Sequence, residues 1–228
     1  MTIYLPILVA FVLWTLMFSP WTSQYLPFWP AISVSMAVLL LMVFLFSSTN
    51  LKSQIYNLKS TIPNLKSRIP SLILAVALAA ALWVIFWRGD KVSQWIFPSF
   101  ARMQVDSIYS MKGASNEHLI AGLLLCWIGP VEELFWRGFI QRSMVNRFAC
   151  MSRGKHWWQS PAFMAYVVTT LLYALVHIAS FNFMLIMAAL VCGIVWGGFY
   201  YLMPHRLDAV VFSHALWDAA VFVWFPIH

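Results

Sequence analysis

The stretch Gly129-Pro-Val-Glu-Glu-Leu-Phe-Trp-Arg137 places two adjacent carboxylates and a guanidinium inside a segment that is otherwise apolar enough to span a membrane. Ionisable groups in hydrocarbon cost several kcal/mol, so they are rare, usually face the interior of a helix bundle and mark candidate functional sites. The sequence therefore predicts a buried polar site on this helix.

Helical geometry divides the three charges of this stretch. A helix turns by about 100° per residue, so Glu132 and Glu133 point in different directions. Glu133 and Arg137 are four residues apart and are predicted to form an ion pair on one face. Glu132 is then left free to take a proton from water. The alternative is that all three charges only hold helices together, although a clamp needs only one of the two glutamates.

The composition predicts the fold class. Hydrophobic residues make up 62% of the 228-residue chain and charged residues 9%, with a mean hydropathy of +0.80. We expect an all-α, multi-pass bundle of about seven spans, each of around 20 residues, in a single membrane domain, 1–228. The formal charge is +7, but the basic residues fall almost entirely in two loops, which indicates membrane topology. No nucleic-acid partner is expected.

The apolar segments predict the position of each span. Residues 1–116 are expected to supply peripheral scaffold spans, and residues 117–228 a catalytic core. A mixed-charge loop is expected from Arg88 to Glu117. The predicted spans lie at about 4–18, 31–46, 72–87, 118–142, 161–179, 181–203 and 207–225.

A seven-residue repeat, Asn-Leu-Lys-Ser, starts at Asn50, Asn57 and Asn64. It predicts an amphipathic basic loop, 48–69, that lies on the headgroups of the membrane lipid. Two spans separate this loop from a second basic loop, 142–160, so both lie on one side. The positive-inside rule makes that side the cytoplasm, which predicts a protein of the cell membrane with a cytoplasmic N-terminus.

Two further predicted spans carry ionisable residues deep in apolar sequence. One contains Tyr173-Ala-Leu-Val-His177 and the other His214-Ala-Leu-Trp-Asp218, and in each the outer residues are four apart on one helical face. Either histidine alone is more often a packing residue. Together with Glu132 they predict that spans four, five and seven converge on an interior cavity.

Two chemistries fit these residues. In the first, Glu132 is a general base that activates a water, and the histidines hold that water or stabilise the developing oxyanion. In the second, His177, His214 and a carboxylate bind a zinc whose water attacks. The sequence has no compact zinc motif, so the metal-free version is preferred and no cofactor is expected, with zinc left open.

The motifs Glu-Glu-x-x-x-Arg, aromatic-x-x-x-His and His-x-x-x-Asp resemble those of the CPBP family, the CAAX-type proteases and bacteriocin-processing enzymes also called the Abi family. The resemblance spans about Gly129 to Asp218. It implies an intramembrane endopeptidase in which Glu132 activates water, His177 and His214 complete the site, and Glu133 and Arg137 support it.

Two positions depart from the family pattern. Tyr173 stands where the family usually has Phe, which adds a hydroxyl near the site. Asp218 stands where the eukaryotic enzymes carry Asn. An ionised Asp cannot donate to an oxyanion, so Asp218 is expected to orient His214 or to remain protonated.

The leading prediction is therefore a hydrolase that cuts a peptide or protein substrate associated with the membrane. A proton-coupled carrier and a non-catalytic immunity or scaffold factor are the alternatives, since buried Glu, His and Asp also build proton relays. The sequence shows no second copy of the motif-bearing half, which speaks against a carrier. A prenylated CAAX protein, a leader peptide and the C-terminal anchor of a surface protein all stay open as substrates.

Overall fold

The computed structural model describes residues 3–47, 65–113, 115–151 and 156–227, and these ranges form helices and no strand. Three short helical turns, Pro20–Ser23, Trp157–Gln159 and Ile178–Ser180, join the longer elements. The longer helices are α1 (Tyr4–Phe18), α2 (Phe28–Phe46), α3 (Leu65–Ile96), α4 (Pro98–Ser110), α5 (Glu117–Ala149), α6 (Pro161–Leu175), α7 (Phe183–Leu202) and α8 (Leu207–Trp224).

The helices form a multi-pass membrane bundle, as the composition predicts. Among the described residues, six helices are long and apolar enough to cross a membrane, namely α2, α3 from Ile69 onward, α5, α6 with its extension to Ser180, α7 and α8. Helix α1 is apolar but has only 15 residues. The all-α class is confirmed, while the count of about seven spans stays a prediction.

The loop predicted from Arg88 to Glu117 is wrong over most of its length. Helix α3 continues to Ile96, and α4 occupies Pro98–Ser110. The charged residues of this region end the continuous apolar run, but α4 is amphipathic and needs only one apolar face. Pro98 starts α4, where its missing N–H breaks no hydrogen bond. Most of the predicted amphipathic loop 48–69 lies outside the described residues.

Helices α5 and α8 form the centre of the bundle. The most apolar window of α5 is 56% buried and that of α8 is 61% buried, against 22% for α3. The more peripheral helices therefore turn most of their side chains to lipid, while α5 and α8 turn theirs to protein. Glu132, Glu133, His214 and Asp218 lie on these two helices, where neighbouring helices can satisfy their polar groups.

The backbones of α5 and α8 touch at Gly129. A Cβ added to Gly129 would lie 2.9 Å from both the Cα and the N of Ala215, so only glycine permits this approach. Pro130 follows and cannot donate to the carbonyl of Cys126, and a π-helical segment, Leu124–Ile128, precedes the contact. The close approach brings the glutamates of α5 beside the histidine of α8.

Candidate active site

Glu133 joins α5 to α8. Its side chain is fully buried, and its Oε1 accepts from Nη1 of Arg137 at 2.7 Å. The same oxygen accepts from Nδ1 of His214 at 2.6 Å. The ion pair predicted from the spacing of four residues is confirmed, and it extends to a third residue on another helix. Because the Arg137 side chain is only 1% exposed, Glu133 supplies the charge that the buried guanidinium needs.

The ring of His214 is held between two carboxylates. Its Nδ1 faces Glu133, and its Nε2 lies 3.3 Å from Oδ2 of Asp218, one turn along α8. Trp196 of α7 stacks on the imidazole with ring centroids 4.0 Å apart and 22° between the planes. The indole N–H of Trp196 in turn donates to Oγ of Ser213. These contacts fix the orientation of His214 on both edges and on one face.

Glu132 is bound by a hydroxyl rather than by a cation. The hydroxyl of Tyr173 donates to its Oε2 at 2.9 Å, across the interface between α5 and α6. The guanidinium of Arg137 lies over the Tyr173 ring, 4.7 Å from its centroid. Glu132 therefore has no ionic partner within salt-bridge distance among the described residues, but it is not free, since one oxygen accepts from Tyr173.

His177 lies just beyond the last residue of α6, and both of its ring nitrogens are engaged. Its Nε2 accepts from the indole N–H of Trp14 at 3.0 Å. Its Nδ1 contacts the main-chain carbonyl of Tyr173 at 2.9 Å. A carbonyl can only accept, so Nδ1 carries the proton and the ring is a neutral imidazole with a fixed tautomer.

A cavity of about 490 Å³ is lined by polar side chains of α3, α4, α5, α6 and α8 and of the turn after α6. Glu133 and Arg137 are not among the residues that line the cavity, so they contact the lining residues without facing the cavity themselves. The polar and aromatic part of its wall is formed by Glu132, Tyr173, His177, Trp196, His214 and Asp218.

The side chains as placed do not form a zinc ligand set. Within the described ranges, no group of three or more His, Cys, Asp or Glu side chains is arranged to hold a metal ion. Each ring nitrogen of His177 and His214 already faces a protein atom, so a metal would have to displace Trp14, Tyr173, Glu133 or Asp218. The residues present thus fit the metal-free chemistry better.

Two residues of the site have no signal in the sequence. Trp14 lies in α1, which has no Asp, Glu, His, Lys or Arg, and its side chain is only 1% exposed. Trp196 lies in the apolar helix α7. A tryptophan in a membrane span is equally suited to packing, lipid contact or hydrogen bonding, so its position alone does not reveal a role. Helix α1, expected to be scaffold, therefore supplies a direct contact to the site.

Comparison with known proteins agrees with the region that carries the polar residues. Residues 114–220 match the family model described as type II CAAX prenyl endopeptidase Rce1-like. The match begins before α5 and ends within α8, and it includes every residue predicted for the site. Neither the curated proteins nor the solved structures contain a match.

Proposed function

We propose that this membrane protein hydrolyses a peptide bond with a water activated by Glu132, because residues 114–220 match the family model of Rce1-like type II CAAX prenyl endopeptidases. The observation that carries the proposal is the position of Glu132 in the cavity wall, with one carboxylate oxygen bound by Tyr173. The other oxygen, Oε1, is then available to a water in the cavity. Wall position and a free acceptor atom are the geometric requirements for a general base.

The reaction begins when Oε1 of Glu132 takes a proton from the water. The oxygen of that water attacks the carbonyl carbon of the scissile bond, and the carbonyl oxygen becomes an oxyanion. Glu132 then returns the proton to the nitrogen of the leaving group, the oxyanion re-forms the C=O bond, and the C–N bond breaks to give a carboxylic acid, which ionises in water, and an amine. The proton is thus carried between water and amine by one residue, and no cofactor is required.

His214 is proposed to stabilise the oxyanion. Carboxylates at both ring nitrogens favour the form that donates from both, which places positive charge at the cavity wall. Glu133 contacts Nδ1 of that ring on the side away from the cavity, and Arg137 is paired with Glu133. Asp218, whose oxygen lies beside Nε2 of His214, is proposed to orient that ring, since an ionised carboxylate cannot itself donate to an oxyanion.

His177 is proposed to position the water or the substrate beside Glu132. Both of its nitrogens are engaged in the structure, so it acts through Nε2 only when substrate or water replaces the indole of Trp14. Such exchange of one hydrogen bond for another changes the free energy little.

The proposed substrate is a peptide or protein that reaches the cavity from the membrane. Apolar side chains form most of the cavity wall beyond the polar residues, which favours a peptide carrying apolar groups. We propose that the protein resides in the cell membrane with a cytoplasmic N-terminus, from the distribution of basic residues. A prenylated CAAX protein agrees with the name of the matched family. A leader peptide or a C-terminal anchor is equally compatible with the apolar cavity wall.

The test compares purified wild-type protein with Glu132→Gln and Glu133→Gln on a library of membrane-anchored peptides, each with and without a strong chelator. Glutamine keeps the size of the side chain and can still accept from Tyr173. We expect Glu132→Gln to lose at least about 100-fold in kcat, the usual scale of a general base, with unchanged thermal stability. Cleavage by Glu132→Gln at the wild-type rate would overturn the mechanism, and activity lost to the chelator and restored by zinc would establish the metal version instead.

A carrier is the second candidate, because the same residues could relay protons. Transport of protons by reconstituted protein, together with no cleavage of any peptide, would favour it. Activity that depends on Glu132 and produces two peptide fragments would exclude it.

A further inference from the structure

Asp90 is a buried carboxylate in the wall of the same cavity, on a helix that carries none of the proposed catalytic residues. It lies in α3, is 6% exposed and lines the cavity together with Tyr109 of α4. It also lies outside the residues that match the family model. The proposed mechanism gives it no task, so its burial requires another explanation.

The protein satisfies only one oxygen of Asp90. Its Oδ2 accepts from the side-chain amide of Gln94 at 2.6 Å, and Lys91 lies 3.8 Å away. The Lys91 side chain is 54% exposed, so solvent screens most of its attraction. The other oxygen, Oδ1, is buried without a hydrogen-bond donor from any described residue. A buried carboxylate oxygen without a donor carries a substantial desolvation cost.

Nothing in the position of Asp90 on α3 offsets this cost. It lies six residues before Ile96, the last residue of the helix. A buried carboxylate without a close positive partner is unfavourable, and a cation bound from the cavity would supply that partner.

Helix α3 contacts the helix that carries His214 and Asp218 close to Asp90. Phe86, four residues before Asp90 on α3, packs on Trp217 with ring centroids 4.7 Å apart, and Trp217 immediately precedes Asp218. Four residues of α3 rise about 6 Å. A lysine side chain, which is four methylenes and an ammonium, spans about this length. Its methylenes would contact the apolar wall while its nitrogen reaches Asp90.

We infer that Asp90 forms a substrate subsite that binds a cationic nitrogen, either a basic side chain or the free amino terminus of the peptide. This inference rests on the proposed function, since it assigns a specificity-determining residue to that reaction. The ammonium or guanidinium donates to Oδ1 once that buried oxygen turns toward the cavity, and Gln94, itself bound by Arg102, donates to Oδ2. Peptides with a basic group at one fixed position from the cut are then preferred over neutral ones.

The first test measures binding without cleavage. n-Butylammonium is a four-carbon cation, and n-butanol is its neutral match. We expect n-butylammonium to raise the melting temperature of wild-type protein and of Glu132→Ala, and to leave that of Asp90→Asn unchanged. Asparagine can still accept from Gln94, so this variant should fold. The matched control is Asp106→Asn on α4, because its side chain is 61% exposed and it does not line the cavity; it should respond like the wild type.

The second test measures specificity. A peptide library with Lys, Arg, Gln or norleucine scanned through each position, with free and acetylated amino termini, is cut by wild type, Asp90→Asn and Asp90→Lys. We expect Asp90→Asn to lose about tenfold in kcat/KM on basic peptides, the scale of one hydrogen bond to a charged group, and to keep its rate on neutral ones. Asp90→Lys should favour Glu at the same position. Loss of the preference on acetylation would identify the amino terminus as the ligand.

Equal stabilisation of wild type and Asp90→Asn by n-butylammonium, or identical cleavage profiles for the two, would overturn the subsite. Failure of the wild type to cut any peptide would count against the proposed function alone. The binding arm uses Glu132→Ala and needs no cleavage, so it would still decide whether Asp90 binds a cation.

Discussion

The indole N–H of Trp14 donates to Nε2 of His177, a hydrogen bond that joins residues 163 positions apart in the sequence. Trp14 also packs edge-on against Trp136, the residue before Arg137. Helix α1 thereby contacts both the histidine beyond α6 and the motif of α5. Since His177 also donates from Nδ1 to the carbonyl of Tyr173, the Trp14 bond completes the set that fixes its ring.

We expect Trp14→Phe to fold but to lose about 1–3 kcal/mol of stability, because the aromatic packing remains while Nε2 of His177 is left without its donor. The kcat should not fall, because His177 is proposed to act through Nε2 only after the Trp14 indole has left it, and Phe leaves that nitrogen open from the start. Thermal unfolding in detergent and peptide cleavage would measure the two effects. Trp21→Phe is the control, because Trp21 is 69% exposed. Equal behaviour of the two variants would leave Trp14 with a packing role only.

Glu133→Gln tests whether Glu133 stabilises the fold, whereas Glu132 is proposed to act in the reaction. The substitution leaves the buried Arg137 guanidinium without its counter-charge and removes one of the two carboxylates beside His214, although the amide oxygen can still accept from Nδ1. We expect a loss of roughly 3 kcal/mol or more in the free energy of unfolding, as for other broken buried pairs. Glu132→Gln should leave the stability near that of the wild type. A stable Glu133→Gln protein would show that the network does not hold α5 and α8 together.

Gly129→Ala tests the close approach of two helices. Its methyl group would fall 2.9 Å from the backbone of Ala215, so α8 must move away from α5. We expect a loss of about 1–3 kcal/mol, as for other overpacked cores, together with lower kcat because His214 moves with α8. Gly122→Ala in the same helix is the matched control: an added Cβ there meets nothing within 4 Å. That variant should gain up to about 1 kcal/mol from helix propensity.

The fourth prediction concerns alkaline pH and Tyr109 of α4. Burial raises the pKa of the Tyr109 hydroxyl above its ordinary value, and this hydroxyl donates to the carbonyl of Val221. The folded state therefore holds the proton more tightly than the unfolded state, so this contribution is complete below pH of about 10 and is lost as pH rises further. We expect Tyr109→Phe to lower the melting temperature at neutral pH. Above a pH of about 10, the melting temperature of this variant should decrease less steeply with pH than that of the wild type. Tyr25→Phe, at a position 79% exposed, should follow the wild-type profile.

Local helical spacing made part of the site predictable from the sequence. The Glu133 to Arg137 pair and the contact between His214 and Asp218 each span one turn of a helix, so the residue numbers alone predict them. The all-α class follows equally directly from apolar composition. The catalytic roles of Glu132, His177, His214 and Asp218 stay predictions.

Contacts between distant helices were not predictable in the same way. The bond from Tyr173 to Glu132 depends on how α6 packs against α5, and the stacking of Trp196 on His214 depends on α7. Neither contact follows from the helical spacing of residues within one segment of the sequence. Helix α4 was not predicted because Arg88, Asp90 and Lys91 interrupt the apolar run before it. A loop between two spans interrupts an apolar run in the same way, so the sequence pattern does not distinguish a loop from an amphipathic helix.

The length of α1 has a consequence for the surrounding lipid. Its 15 residues extend about 22 Å at about 1.5 Å per residue, against a hydrocarbon core of about 30 Å. Trp14 nevertheless has to reach the depth of His177. Hydrophobic mismatch of this kind is relieved when the adjacent leaflets thin. A thinner bilayer beside α1 would shorten the path of water to Glu132, so turnover should decrease in vesicles of progressively longer acyl chains.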